Sequence, residues 1–369
     1  ESQDRFDWKQ SKAFIGEIEG FLAVLEDRLI EFKEVYFRGM TLTEEEMIEL
    51  FYFKFTETPL LNRMDAIKDY FIDSWETLNG RNISDDDQET LQMKFDKMYK
   101  TKDIYAIYNW MLEDCGCNLL PDVPYEKRKL PYEDVFPMLY LKYRLSGGNS
   151  THKNIKHLVI DEMQDYSYLQ YTILESLFHC RMTILGDRAQ TLDTKQQDVL
   201  RFLPKLLGRE IRTIEIKKSY RNTLEIARYA EKVSGVSDLE LLDRHGKEVV
   251  EKTFNTDTEL LDELVCHLKC PGDFETAALI TTTEEEAFDL SRLLKLRGIN
   301  VSYVDRNSSA FKKGLTVTTF YLAKGLEFDQ VFALRGAKEN PLKNQAEYIC
   351  ATRALHELYV YEITDNLSK

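Results

Sequence analysis

Two short β-branched runs, each closing on acids and separated by a single helical stretch, constrain this chain more than any other feature. His157–Ile160 (HLVI) reads as a strand buried in a parallel sheet, and it ends on Asp161-Glu162 with Gln164 and Asp165 close behind. The second run, 182–185, ends in the same way, on Gly186-Asp187 with Gln190 in the turn. In open α/β sheets ligands bind at the carboxyl ends of the strands, so acids placed there face a crevice. An Asp at such a point can hold Mg²⁺ on a nucleotide, and the Glu beside it can orient or deprotonate a water.

The rest of the chain is taken up with supporting that arrangement. Its 369 residues suffice for about two to three domains with real cores. No apolar run is long enough to cross a bilayer, which argues against a membrane partner. The polar opening ESQDRFDWKQ carries neither an initiator Met nor a signal peptide, so the chain reads as a fragment of a longer protein. Six cysteines (Cys115, Cys117, Cys180, Cys266, Cys270, Cys350) form no CxxC pair and no zinc-finger set with His, which points to reduced thiols in the cytoplasm and to no cysteine metal site. Residues 1–130 hold 28 acidic against 17 basic side chains, a net of −11, whereas a module built to grip phosphate backbones should be basic.

Residues 1–118 read as almost wholly helical. Ile15, Ile18, Phe21, Leu22, Leu25, Leu29 and Ile30 recur at helical spacing. Thr43 with Glu46 forms a capping-box pattern, and the Asn79-Gly80 turn separates two further amphipathic segments, 60–75 and 86–98. The aromatics Phe51, Tyr52, Phe53 and Phe55 fit an ordinary helical core. A Pro-bearing linker over 120–131 is followed by a helix over 132–143. From Ile211 a second α/β unit is expected, with strands at 213–216, Thr276–Thr281, 300–304, 315–319, 330–334 and 357–361. Helices alternate with them at 223–233, 259–268, Glu284–Leu296 and 345–355. Such alternation implies a parallel sheet covered on both faces.

The second unit carries its own polar clusters: Ser219-Tyr220-Arg221-Asn222, Ala323-Lys324-Gly325-Leu326-Glu327-Phe328-Asp329 and Ala351-Thr352-Arg353-Ala354. Two Arg in one α/β unit and a Mg²⁺-type acid pair in another suggest a phosphate held between domains, since γ-phosphoryl transfer needs cations against the charge on its oxygens. DEMQD, GDRAQ, SYRN, AKGLEFD and ATRA, in this order over residues 157–360, resemble motifs II to VI of the UvrD/Rep class of superfamily 1 helicases. The resemblance implies an α/β fold with two RecA-like P-loop NTPase domains, the second complete and the first partial, and ATP with Mg²⁺ in the cleft between them. It gives Asp161 to Mg²⁺, Glu162 to the attacking water, Gln190 to the γ-phosphate and Tyr220 to the base. Arg221 and Arg353 would reach the γ-phosphate and Glu327 the ribose, with Gly325 and Asp187 in the surrounding motifs.

The departures from that pattern are specific. No G-x-x-x-x-G-K-[ST] occurs, the Gly246-Lys247 pair being followed by Glu248, so the phosphate cradle and its Lys are missing. Either the P-loop lies upstream in a longer protein, or the chain is a P-loop-less scaffold without catalysis. After Gln190 the run Thr191-Leu192-Asp193-Thr194-Lys195 has no aromatic to stack on single-stranded bases. Tyr321-Leu322 stands where these helicases carry His-Ser, Gln345-Ala346-Glu347 replaces an Arg pair, and a short loop between Val304 and Lys312 leaves no room for the 2B domain. LPYEDVFPMLYLKYRL before IKHLVIDEMQDYSYLQ is similar to the HelD-like branch, whose members bind RNA polymerase and insert helices into its main channel. The resemblance divides the chain into a helical insertion (1–127), a partial first RecA-like domain (128–209) and a second RecA-like domain (210–369). The negative charge of the insertion suits a basic channel. A DNA helicase or translocase of UvrD/Rep type in DNA repair is the second reading, and DNA or RNA is the nucleic-acid partner the resemblance implies.

Overall fold

In the computed structural model, which describes residues 3–148, 154–190, 199–208, 211–235, 240–269, 274–308, 313–336 and 342–363, the chain separates into two compact units. The first comprises residues 1–160, 166–184 and 199–209, and the second 161–165, 185–198 and 210–369. The predicted run 191–195 lies outside the described residues, as do Asn149-Ser150, Cys270 and 309–312.

The first unit is mainly helical: α1 (Gln3–Lys9), α2 (Lys12–Leu29), α3 (Glu44–Glu49), α4 (Arg63–Asn79), α5 (Asp85–Asp96), α6 (Ile104–Asp114) and α7 (Tyr132–Ser146). The starts of α2, α3, α5 and α6 follow from capping chemistry. Ser11, Ser84 and Asp103 accept backbone N–H groups at the starts of α2, α5 and α6, and Thr43 with Glu46 completes the expected capping box of α3. Gly80, at φ 64°, ends α4 in the left-handed conformation that a side chain resists. Phe14, Ile18, Phe21, Leu25 and Leu29 line the buried stripe of α2, and their core also takes in Tyr140, Leu141 and Leu145 of α7. Within it Lys9 is wholly buried, its ammonium held by Glu133 and Asp134, while Tyr108 donates to Asp134 at 2.6 Å.

Two expectations fail in this region. A hairpin, β1 (Val35–Phe37) with β2 (Met40–Leu42), interrupts the helices. Its turn places Arg38 at φ 42° and Gly39 at φ 86°, both left-handed as a two-residue hairpin turn requires. Of the expected aromatic core, Phe51 is fully buried but Phe53 is 76% exposed, because near-consecutive residues wind around a helix and cannot share one face. The helix over 132–143 runs on to Ser146.

β3 (His157–Ile160) pairs in parallel with β4 (Arg181–Ile184), one residue earlier than the run read from sequence. Between them α8 (Tyr168–Leu177) starts on a Ser167/Gln170 capping box, and α9 (Val199–Leu207) follows β4. Ile160 packs with Tyr171, Val199 and Leu203. The expectation that β3 is buried is corrected: Val159 is 61% exposed, since the helices cover the Ile160 face and alternate side chains point the other way.

The second unit is a mixed α/β layer structure. Its strands are β5 (Lys218–Ser219), β6 (Glu240–Leu241), β7 (Val250–Phe254), β8 (Thr276–Thr281), β9 (Ser302–Tyr303), β10 (Gly314–Thr319), β11 (Phe328–Arg335) and β12 (Ala354–Ile363). Its helices are α10 (Leu224–Ser234), α11 (Asp257–Lys269), α12 (Glu284–Leu296), α13 (Phe320–Ala323) and α14 (Lys343–Arg353). Six strands form one sheet in the order β7-β12-β11-β8-β10-β9, and every pairing in it is parallel. The period-two alternation sorts its core. Ala278, Ile280, Val331, Ala333, Leu358 and Val360 cluster with Ile226 of α10 and Ile349 of α14. Leu279, Phe332, Tyr359 and Tyr361 cluster with Leu264 of α11 and Leu294 of α12.

The predicted strand at 213–216 is not formed: Ile214 and Ile216 are exposed, and the ladder starts only at Lys218–Ser219, which pairs with Glu240–Leu241. β7 goes unanticipated because VEKTF buries little and shows weak alternation. Among the described residues no helix is long and apolar enough to cross a membrane.

Candidate active site

The acid loop leaves β3 as the 3₁₀ turn Met163–Asp165 and belongs to the second unit. Glu162 sits at φ 54°, a left-handed conformation uncommon for a side chain of this kind, and its N–H donates to Asp161 Oδ1 at 2.8 Å. Strain of this sort is held only where the surroundings fix it. Here Gln164, buried, donates from Nε2 to Glu162 Oε2 at 2.6 Å and accepts the Asp187 N–H at 3.0 Å, while Met163 N–H donates to Leu185 O at 2.8 Å. Two consecutive acid-bearing turns are thereby laced together. Gly186 is what allows the approach, since a Cβ there would meet Gln164 Oε1 at 2.5 Å and Met163 N at 2.8 Å.

Gln190 closes the second turn. Its Nε2 donates to Asp187 Oδ2 at 2.9 Å, and its Oε1 accepts from Arg353 Nη2 at 3.2 Å. Tyr348 of α14 donates to the same Asp187 oxygen at 2.9 Å, and burial with the adjacent carboxylate pushes its phenol well above the usual range. Lys324, at the end of α13, donates to both oxygens of Asp165 at 2.7 Å and to Gln190 O at 3.2 Å. Burial pushes the Asp165 carboxyl up, and Lys324 pulls against that shift.

Arg353 is the last residue of α14 and is 3% exposed. It donates to Leu326 O, Thr352 Oγ1 and Gln190 Oε1, but its Nε finds no partner among the described residues. Burial lowers its pKa first and the neighbouring Arg221 second, while Glu162, Glu327 and Asp187 oppose the shift. Arg353 is therefore a buried cation within electrostatic reach of the acid loop. Arg221 pairs through Nε with Glu327 Oε1 at 2.7 Å, both side chains being partly exposed. Tyr220 is 62% exposed, with the Lys218 ammonium 5.6 Å from its ring centre. Gly325 has φ +84° with open space around it, so backbone conformation rather than room explains the glycine.

Of the residues singled out from sequence, Glu162, Asp187, Gln190 and Arg353 are brought into one hydrogen-bonded and electrostatic group. Arg221 and Glu327 pair with each other and act on Arg353 electrostatically. Asp161 is exposed, with its Oδ1 accepting the Glu162 N–H. Sequence reasoning assigned no role to Gln164, Asp165, Lys324, Tyr348 or Asn222. Four of these stand inside the quoted motifs, and Tyr348 carries no sequence signal. Asn222, buried, donates from Nδ2 to Ala354 O at 2.6 Å and Ala351 O at 3.3 Å. Arg244 donates to Arg221 O and Leu355 O, which ties the same loop to the α14–β12 junction.

The donor set suits Mg²⁺ on a nucleotide. Among the described residues no three His, Cys, Asp or Glu side chains form a metal cage. Magnesium needs none, being held by one or two carboxylates together with waters and phosphate oxygens. The orphaned Arg353 Nε supplies a buried donor for an anion.

The UvrD/REP helicase N-terminal domain family matches residues 26–192, which include the acid loop and Gln190. No curated protein matches the chain. Among solved structures, the C-terminal domain of a possible DNA helicase from Lactobacillus plantarum WCFS1 is 25% identical over 39% of this chain and 88% of that one, with a TM-score of 0.32. The PRRSV helicase is 16% identical over 71% of this chain and 46% of its own, with a TM-score of 0.34. The arterivirus nonstructural protein 10 helicase, solved with DNA, is 17% identical over 31% of this chain and 28% of its own, with a TM-score of 0.24. The chain is thus similar to that family over less than half of its length, a stretch that includes the acid loop and the turn ending on Gln190.

Proposed function

We propose that the chain is part of a HelD-like superfamily 1 ATPase that couples ATP hydrolysis to the remodelling of RNA polymerase and nucleic-acid complexes. The observation that carries the nucleotide reading is the convergence on Gln190, whose amide joins Asp187 to Arg353. A residue fixed between an acid-bearing turn and a buried guanidinium is suited to report on a terminal phosphate. On this reading Asp161 meets the metal and Glu162 orients the attacking water. Arg353 and Arg221 stabilise charge on the transferred group, Tyr220 offers an exposed ring to the base, and Glu327 turns to the ribose once Arg221 leaves it. Bound Mg²⁺ would neutralise charge on the phosphates.

Residues 1–127 act as the polymerase-directed insertion, 128–209 as part of a first RecA-like domain and 210–369 as the second. The polymerase assignment is supported by the net charge of −11 over residues 1–130 and by the lack of an aromatic in 191–195. Because these 369 residues contain no G-x-x-x-x-G-K-[ST], the chain by itself should turn over ATP negligibly.

The test has two parts. In protein that includes a phosphate cradle, Glu162→Gln should abolish hydrolysis while sparing ATP binding, and Arg353→Ala should slow it by about 10³-fold or more. Hydrolysis that survives Glu162→Gln would sink the assignment of the acid loop. Immobilised protein should also retain core RNA polymerase. Failure to retain it, together with strand displacement that falls steeply with salt, would favour the DNA translocase instead.

A further inference from the structure

Arg244 stands outside every motif quoted above, in the segment 242–249 that runs from β6 to β7 without a helix or strand of its own. That segment is nonetheless pinned to the start of α10. The Leu224 N–H donates to Arg244 O, while Glu225 accepts the Gly246 N–H on Oε2 and pairs with His245 Nδ1 through Oε1, each at 2.8 Å. Gly246 lets the chain lie so close, since a Cβ there would meet Thr223 Cγ2 at 2.5 Å. Lys247 then donates to the Tyr359 hydroxyl at 2.7 Å, so the Gly246-Lys247 pair serves this strap.

With its main chain fixed, Arg244 reaches in two directions. Its Nη1 donates to Arg221 O at 3.2 Å, and its Nη2 donates to Leu355 O at 3.3 Å and to His356 Nδ1 at 2.8 Å. The His356 ring is itself stacked on Phe274, with centroids 5.7 Å apart. The fork therefore joins the carbonyl of Arg221 to the first residues of β12, just past Arg353. Asn222, on the far side of the same peptide bond, is tied by its amide to Ala351 O and Ala354 O. The Arg221 guanidinium, by contrast, has only its partly exposed pair with Glu327. A side chain that leaves one partner for another reaches the second accurately only from a fixed root, and a misplacement of about 1 Å can cost 10²-fold in rate.

We propose that Arg244 is the positioning residue of Arg221: its fork clamps the Arg221 main chain to the start of β12, so that the backbone is set while the guanidinium stays free to move from Glu327 to a phosphate. The proposal rests on the reading in which Arg221 reaches the transferred group.

Two measurements test it. The 369-residue chain offers trypsin the same Arg-Asn bond twice, after Arg221 and after Arg81 in the first unit. Arg244→Met should raise the initial rate of cutting after Arg221 by about tenfold, read by mass spectrometry of the fragments, and leave cutting after Arg81 unchanged. No change after Arg221, or an equal rise at both bonds, overturns the clamp. In protein that includes a phosphate cradle, Arg221→Ala should lower kcat for ATP by about 10²-fold or more, and Arg244→Met by about 10- to 100-fold. Added to Arg221→Ala, Arg244→Met should lower kcat by less than about twofold further, because the residue it positions is already gone. A merely structural role predicts the same loss in both backgrounds, and that result overturns the proposal. Arg244→Lys keeps the charge but not the fork and should fall between wild type and Arg244→Met; it carries the same cycle should Arg244→Met not fold, and a rate equal to wild type overturns the bridging role. If Arg221→Ala leaves kcat unchanged, the assignment of Arg221 falls and the proposal with it. If Arg221→Ala slows hydrolysis but Arg244→Met does not, the proposal alone falls.

Discussion

Replacing Asn222 by Ala removes one buried amide that fastens the Tyr220-Arg221 loop to both sides of Arg353. The loss is uneven. Ala351 O keeps a bond from the Ala354 N–H, whereas Ala354 O gives up its 2.6 Å bond from the amide. One buried acceptor left unpaired costs about 1–3 kcal/mol. With a urea dependence of about 2 kcal/mol per molar for a unit of this size, the midpoint of unfolding should fall by about 0.5–1.5 M. The chain carries an internal control, because its tryptophans, Trp8, Trp75 and Trp110, all lie in the first unit. Tryptophan fluorescence therefore follows the first unit, and far-UV circular dichroism follows both. Asn222→Ala should move the circular dichroism transition to lower urea and leave the fluorescence transition in place. Asn222→Asp should be worse, since a carboxylate would face two carbonyl oxygens. An equal shift of both signals, or of neither, would refute the argument that this amide locally holds the arginine-bearing segments.

Two further perturbations address the acid loop and the helical core. Gly186→Ala drives a Cβ into Gln164 Oε1 and the Met163 backbone and should cost about 1–3 kcal/mol while weakening Mn²⁺ binding; a variant with wild-type melting and Mn²⁺ affinity would refute the close-approach argument. Lys9→Met strands Glu133 and Asp134 in the core, relieved only in part by Arg5 at 3.1 Å from Glu133 and by the Tyr108 hydroxyl on Asp134. It should cost about 3–5 kcal/mol and move the tryptophan transition, and a fluorescence midpoint unchanged in urea would count against it.

Much of the second unit was legible in sequence because burial on both faces leaves a strong imprint. Thr276–Thr281 and Glu284–Leu296 were read to the residue, whereas the last helix, read over 345–355, lies two residues earlier at Lys343–Arg353, and the last strand, read over 357–361, extends over Ala354–Ile363. What escaped was local and polar. VEKTF at β7 lacks the apolar alternation that announces a strand, while the isoleucines at 214 and 216 have it and find no partner among the described residues. The Arg38-Gly39 turn hides a hairpin because the usual Asn-Gly or Asp-Gly signature is absent. In the site the motifs supplied the residue types, but not the links among them. Nothing in the order DEMQD, GDRAQ, ATRA tells that Gln164 faces Asp187 or that Tyr348 reaches across to it, since such bonds depend on how separate turns approach.

Those links also divide the two arginines into different kinds of group. Arg353 is buried, anchored to Leu326 O and Thr352 Oγ1, and held by Gln190, so moving it would break three hydrogen bonds at once. Arg221 rests in a partly exposed pair with Glu327, of a type worth at most about 1 kcal/mol, and it can leave for a stronger anion at little cost. On the proposed reading the phosphate must come to Arg353, whereas Arg221 comes to the phosphate. The departure of Arg221 would free Glu327 for a sugar hydroxyl, so that one exposed ion pair opens two contacts to the same nucleotide.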